Sequence, residues 1–219
     1  VVCGDTKVVE RGKGDGAFLT TSGIGLQTPG EPIDPGRIRP GDQLVVSGDL
    51  GRHGMAILAA RHGLELHPPL ASDCAPLWPL VEELLAAGVR PHCLRDLSRG
   101  GLASALQELA SDAHMLFRLR EERIPVAGAV RRSAELLGVD PLQLANEGRL
   151  VAVVAPADLA ATLAVLEPHG GAWIGTAEST TQGLRPGAIG TAAGVILTTR
   201  FGSERQLLPL SGEQLPRIC

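Results

Sequence analysis

Aromatic side chains are scarce in this sequence: it has no tyrosine, and tryptophan and phenylalanine together make up 2% of its residues. Such a chain has few rings on which bases could stack, and its net charge of -4 gives no positive field for a phosphate backbone, which argues against nucleic acid as a partner. The cysteines Cys3, Cys74, Cys93 and Cys219 show no C-x-x-C spacing, and the histidines are scattered without an H-E-x-x-H pattern, so no built-in zinc site is expected. A chain of 219 residues can bury a core without disulfides, and reduced thiols in a cytoplasmic protein fit this usage. Hydrophobic residues reach 44%, yet Gly, Pro or a charge interrupts them every few positions, so no membrane span is expected. Also missing are a Walker A pattern and a G-x-G-x-x-G fingerprint, and with them any phosphate-loop argument for nucleotide binding. No internal repeat or low-complexity segment is apparent.

The pattern that remains is that of a mixed α/β protein. The start, Val1-Val2-Cys3, has no Met and no basic or apolar leader, from which an N-terminally cut fragment is expected. Prolines at 29, 32, 35 and 40 hold an extended connector. It separates residues 1–38, a remnant of one domain with its linker, from an α/β domain over 39–205 and a mobile tail over 206–219. Alternating or continuous apolar runs predict strands at Gln43–Ser47, His92–Arg95, Met115–Leu119, Arg149–Val154, Ala172–Ala177 and Gly194–Thr199, with a further strand over Ala17–Ser22. Helices are expected from Arg52 to His62, Leu77 to Ala87, Leu102 to about Ala110, Val130 to Leu137 and Asp158 to His169. The acceptors of Ser72-Asp73-Cys74 stand ahead of Pro76, where they suit the start of the second of these helices. Arg118 to Arg123 reads as a solvated charged face.

Four places carry chemistry. The last residue, Cys219, puts a thiol on a tail able to swing between partners, unless it is an incidental cysteine. Asp5-Thr6-Lys7 follows an apolar run, where Asp5 can hold a divalent cation and Lys7 a phosphate, or where a solvated turn can sit. Asp96-Leu97-Ser98-Arg99-Gly100-Gly101 leads into a helix whose N-terminus can receive anionic oxygens, with Asp96 as metal ligand; alternatively Asp96 or Ser98 caps that helix. Glu147, between Asn146 and Gly148, can face a cleft as a general base or lie in a surface turn.

Gly4-Asp5-Thr6-Lys7-Val8-Val9, Arg95-Asp96-Leu97-Ser98-Arg99-Gly100-Gly101-Leu102, Ala145-Asn146-Glu147-Gly148 and the closing Gly212-Glu213-Gln214-Leu215-Pro216-Arg217-Ile218-Cys219 occur in one order. Together they resemble the HypE family of nickel–iron hydrogenase maturation factors. Ser72-Asp73-Cys74-Ala75-Pro76-Leu77 and Asp140-Pro141-Leu142 extend the resemblance over essentially the whole chain, while Leu97 and Ser98 stand where relatives often have Pro and Thr. The resemblance implies a superfamily shared with aminoimidazole ribonucleotide synthetase, selenide-water dikinase and thiamine-monophosphate kinase. In that superfamily an ATP-binding N-terminal half precedes a C-terminal α/β half, so a substantial segment is expected before Val1. It further implies a hydrogenase maturation enzyme, an ATP-dependent carbamoyl dehydratase that converts its own S-carbamoylated Cys219 to a thiocyanate, the cyanide donor for the active-site iron. Glu147 would be the general base, with Lys7 either assisting proton removal or steadying the phosphoryl group. Asp5, Thr6, Lys7, Asp96, Arg99, Gly100, Gly101 and Asn146 would contact ATP, and Asp5 and Asp96 would hold magnesium. The implied partners are the carbamoyltransferase HypF, the HypC–HypD iron scaffold and, in the full-length protein, a second copy. A docking module without catalysis and a small-molecule kinase or synthetase are the competing readings; a diffusible substrate would give no reason for a terminal Pro216-Arg217-Ile218-Cys219.

Overall fold

In the computed structural model, residues 22–24, 30, 32–67, 69–180 and 193–208 are described. The chain divides into two units, Val1–Glu31 and Pro32–Cys219, and the elements named below belong to the second. The expected strand at Ala17–Ser22 and the Asp5-Thr6-Lys7 and Cys219 segments lie outside the described residues or, for the strand, almost wholly so.

In that unit the described elements are β1 (Gln43–Val46), α1 (Arg52–Arg61), α2 (Trp78–Ala86), β2 (Cys93–Asp96), α3 (Gly101–Ala113), β3 (Met115–Arg120), α4 (Gly128–Leu137), β4 (Leu150–Val154), α5 (Leu159–Leu166), β5 (Ala172–Ser179), β6 (Gly194–Thr198) and β7 (Glu204–Gln206). The strands make one sheet in the order β2-β4-β1-β5-β3-β6-β7, antiparallel throughout except for the β3–β6 pair. The mixed α/β fold is thus as expected.

Burial on both faces explains the continuous apolar runs of the central strands. Along β4, Val151 and Val153 join one core with Leu44 and Val46 of β1, whereas Leu150, Ala152 and Val154 join another with Val45. The first core is covered by α3, whose Leu102, Ala105, Leu106 and Leu109 recur at helical spacing on one face. The second is covered by α2 and α5 through Leu84 and Leu166. Met55 and Leu58 of α1 pack with Val130 and Ala134 of α4 in a third cluster, which Leu144 closes.

Helix ends differ from expectation where caps were assigned to side chains. Helix α2 begins at Trp78 behind Leu77, with no side-chain cap, so the acceptors of Ser72 and Asp73 serve other donors. The expected helix Asp158–His169 keeps α-geometry only over Leu159–Leu166 and has a 3-10 turn at each end, each with a proline in its first turn. Strand β7, three exposed polar residues, follows no apolar pattern, and the buried Leu207 beyond it donates its N–H to Val195 O at 2.9 Å.

Candidate functional site

Antiparallel pairing of β4 with both β1 and β2 brings three chain segments to one end of the sheet. The register sets Val46 against Val151 and Asp96 against Leu150, so the loops leaving β1 and β2 meet the segment entering β4. That segment is 144–149, and it carries Asn146 and Glu147.

Asn146 joins the three. Its side chain is 1% exposed; Oδ1 accepts from Gly51 N–H at 2.7 Å, while Nδ2 donates to Leu144 O at 3.0 Å and to Leu97 O at 3.3 Å. Its own N–H donates to Leu97 O at 3.1 Å, and Leu97 N–H donates to Arg149 O at 3.0 Å. Both Nδ2 donors and the Oδ1 acceptor of Asn146 are thus engaged within the protein.

Asp96 ends β2 as a half-exposed carboxylate. Ser98 Oγ donates to its Oδ2 at 2.7 Å, and an Arg95 guanidinium nitrogen lies 4.0 Å from its Oδ1. Neither Asp96 nor Ser98 caps α3, because Gly100 occupies the cap position in the left-handed region at φ 68° with no side-chain bond to the first turn. The glycine pair has a steric cause as well as an electrostatic use. A Cβ on Gly101, whose φ is +60°, would meet Leu144 O at 2.4 Å and Leu142 O at 2.7 Å. The α3 N-terminus is thereby pressed onto the 142–144 segment, two residues ahead of Asn146. Arg99 is exposed beside it.

Glu147 is half-buried, and its backbone is held by a segment 74 residues away: its N–H donates to Asp73 Oδ1 at 2.8 Å, and Ala75 N–H donates to Glu147 O at 3.5 Å. The next residue, Gly148, lies so close that a Cβ on it would fall 2.0 Å from Asp73 O. Asp73 is 7% exposed, and its Oδ2 is buried with no hydrogen-bond partner among the described residues.

Sequence reasoning also missed an ion cluster beneath these loops. Arg149 donates from Nη2 to Asp49 Oδ1 at 2.8 Å and from Nε to Asp49 O at 3.0 Å, and Arg52 pairs with the other Asp49 oxygen. Burial pushes the Asp49 carboxyl up, but the two guanidiniums outweigh it and leave it below its ordinary range. No motif signals this pair, since its members lie in separate loops that only the β1–β4 pairing brings together.

A groove of about 530 Å³ lies elsewhere, where β3 and β5 turn Arg118, Arg120, Trp173 and Glu178 away from α3. Arg118 bridges Glu178 at 2.9 Å and Glu204 at 2.6 Å, and Arg120 lies 5.4 Å from the Trp173 ring centroid, so part of the expected solvated charge run is internally paired. Among the described residues, none of the expected site residues lines it. No group of three or more metal-ligating side chains occurs among the described residues, and none of their helices is long and apolar enough to cross a membrane.

The structure therefore brings Asp96, Gly100, Gly101, Asn146 and Glu147 to one end of the sheet; Asp5, Thr6, Lys7 and Cys219 are outside the described residues. Residues 39–183 match the family model of AIR synthase related protein, C-terminal domain. Carbamoyl dehydratase HypE of Rhizobium leguminosarum bv. viciae is 43% identical over 225 aligned positions, which take in 100% of this chain and 61% of that protein. The crystal structure of the hydrogenase maturation protein HypE in complex with ATP superposes with a TM-score of 0.78 at 40% identity, covering 85% of this chain and 55% of that one. A chain of the crystal structure of a HypE–HypF complex matches at a TM-score of 0.71 and 32% identity, over 80% of this chain and 55% of its own. This chain thus spans about three-fifths of the length of the curated relative. By its matched domain the chain belongs to the AIR synthase related proteins, and within them its similarity runs to HypE.

Proposed function

We propose that this chain takes part in hydrogenase maturation as a carbamoyl dehydratase, acting with ATP on a carbamoyl group carried by its own Cys219. The observation that supports this best is the meeting of the Asp96, Gly100-Gly101 and Glu147 segments at one end of the sheet, tied together by a buried asparagine. That arrangement sets an uncapped helix N-terminus, suited to phosphate oxygens, in the same loop cluster as a half-buried carboxylate suited to proton removal. A magnesium ion, which keeps several waters and takes one or two carboxylates besides phosphate, would accompany the nucleotide. Asp96, half-exposed and donated to by a single hydroxyl, can supply one such oxygen, with Asp5 as the second.

Bound ATP with magnesium would supply the phosphoryl group that makes the carbamoyl oxygen a leaving group. Loss of water from S–C(=O)–NH2 to S–C≡N then breaks the C–O bond and removes both nitrogen protons, so a base must stand near the nitrogen. Glu147 fills that role, with Lys7 assisting or steadying the phosphoryl group. Arg99 and the Gly100 and Gly101 amides would neutralise phosphate charge, and Thr6 would contact the nucleotide. Pro216 restrains the tail and lowers the entropy lost on docking. A tail that docks to react and withdraws to donate cyanide would serve HypF at one stage and the HypC–HypD scaffold at another. The HypE–HypF complex of a relative favours the first of these partners.

The test uses the protein in the longest form its gene encodes, carbamoylated on Cys219 and given ATP. Wild type is expected to convert its C-terminal peptide to one lighter by a water, as seen by mass spectrometry, and Glu147→Gln to leave it carbamoylated. Dehydration by Glu147→Gln at the wild-type rate would refute the base assignment, and no water loss in wild type would refute the activity.

A further inference from the structure

The geometry points to Asp73 as the residue that positions Glu147 for proton removal. This inference rests on Glu147 being the base. Glu147 sits on a connection with no regular secondary structure, and a carboxylate that must meet a particular nitrogen proton needs its backbone fixed on both sides. On one side stands Asn146, whose amide is saturated by Gly51, Leu97 and Leu144. On the other stands the 72–75 segment, which grips Glu147 in two directions through Asp73 Oδ1 and Ala75 N–H. The grip is itself anchored: Ser72 Oγ lies 2.8 Å from His53 Nδ1 of α1 and accepts from Cys74 N–H at 3.1 Å. Gly148 adds a close approach that holds Asp73 against this loop, since any side chain there would strike Asp73 O.

The choice of residue also asks for an explanation. Asp73 is more than nine-tenths buried, and among the described residues only one of its oxygens has a donor. A buried oxygen with no donor destabilises the fold, and packing alone would be served better by an apolar side chain. What the aspartate provides is an acceptor aimed at one amide, that of Glu147. Sequence reasoning assigned this acceptor to the start of α2, which in fact has no side-chain cap. Asp73 touches no substrate in this scheme and acts through Glu147.

Single-turnover dehydration of the carbamoylated, longest-form protein separates this role from a merely structural one. Asp73→Ala, which removes the acceptor, is expected to slow the step by about a hundredfold while the ATP concentration for half-maximal rate stays unchanged. Asp73→Asn keeps an acceptor for the Glu147 amide and is expected to stay within about threefold of wild type. Any slow reaction that remains in the Glu147→Gln background should be slowed no further by Asp73→Ala, because its effect passes through Glu147. If Asp73→Ala does not fold, Asp73→Leu, closer in shape, is read in its place. The inference is overturned if the acceptor-free variant reacts at the wild-type rate, if Asp73→Asn is as slow as Asp73→Ala, or if the loss is a loss of ATP affinity. An inert Glu147→Gln beside an unimpaired Asp73→Ala would overturn this inference alone, whereas an active Glu147→Gln would overturn the reading on which it rests.

Discussion

Replacing Asn146 by alanine removes the junction of the three site loops, and the cost can be worked out bond by bond. Leu97 O keeps a partner, because the main-chain N–H of residue 146 still donates to it at 3.1 Å. Gly51 N–H and Leu144 O each lose the side-chain partner they now have, at 2.7 and 3.0 Å, and both residues are buried. A buried polar group left unsatisfied costs roughly 1–3 kcal/mol, so two of them cost about 2–6 kcal/mol. For a chain of this size that lowers the unfolding midpoint by on the order of 10 °C. Differential scanning calorimetry reads the shift, and urea unfolding with an unchanged slope confirms that it comes from the native state. Asn146→Asp should be no milder: it keeps the acceptor for Gly51 but turns an oxygen toward two carbonyls. A midpoint within about 2 °C of wild type for Asn146→Ala would refute the reasoning, since solvent would then be reaching Gly51 and Leu144 unaided.

Further outcomes follow from single contacts. Gly101→Ala should destabilise the protein and loosen the α3 N-terminus, because its Cβ would fall 2.4 Å from Leu144 O at a positive φ; thermal unfolding at the wild-type midpoint would contradict this. Asp49 has a folded pKa below its ordinary 3.8, so its stabilisation is present above about pH 4 and is lost as pH falls through the lower, folded value. Asp49→Asn should therefore be less stable than wild type at neutral pH and should show a smaller loss in acid, which urea titrations at several pH values will measure. Burial pushes the Cys93 thiol up to about 11 from 9.0, whereas Cys74 is exposed. Iodoacetamide at pH 8 should label Cys74 and spare Cys93 until the protein unfolds, and stability should fall as pH rises from about 9 toward 11; rapid native labelling of Cys93 would show that it is not sealed in the core.

Much of the architecture can be read from pattern, and the exceptions have physical causes. β1 and β4 are legible because strands buried on both faces become uninterrupted apolar runs, and α3 because its leucines and alanines recur on one face. β7 is not, since an edge strand of Glu-Arg-Gln has no buried face to impose a pattern. At the site, the Asp96 and Glu147 segments are legible as polar loops at strand ends. The roles of Asn146 and Asp73 are not, because their partners lie 95, 49 and 74 residues away and only the sheet register brings them close. The Asp49–Arg149 pair is hidden for the same reason. The glycine pair shows a different limit: sequence suggests a phosphate cradle, while the structure adds the backbone of 142–144, which leaves no room for a side chain.

Under the proposed function the carbamoyl oxygen on Cys219 leaves as phosphate. Oxygen-18 placed in that carbamoyl group of the longest-form protein, followed through one turnover with ATP, measures it directly. The account predicts that the inorganic phosphate released carries the label, in step with the appearance of the thiocyanate. Unlabelled phosphate beside a dehydrated tail would contradict it.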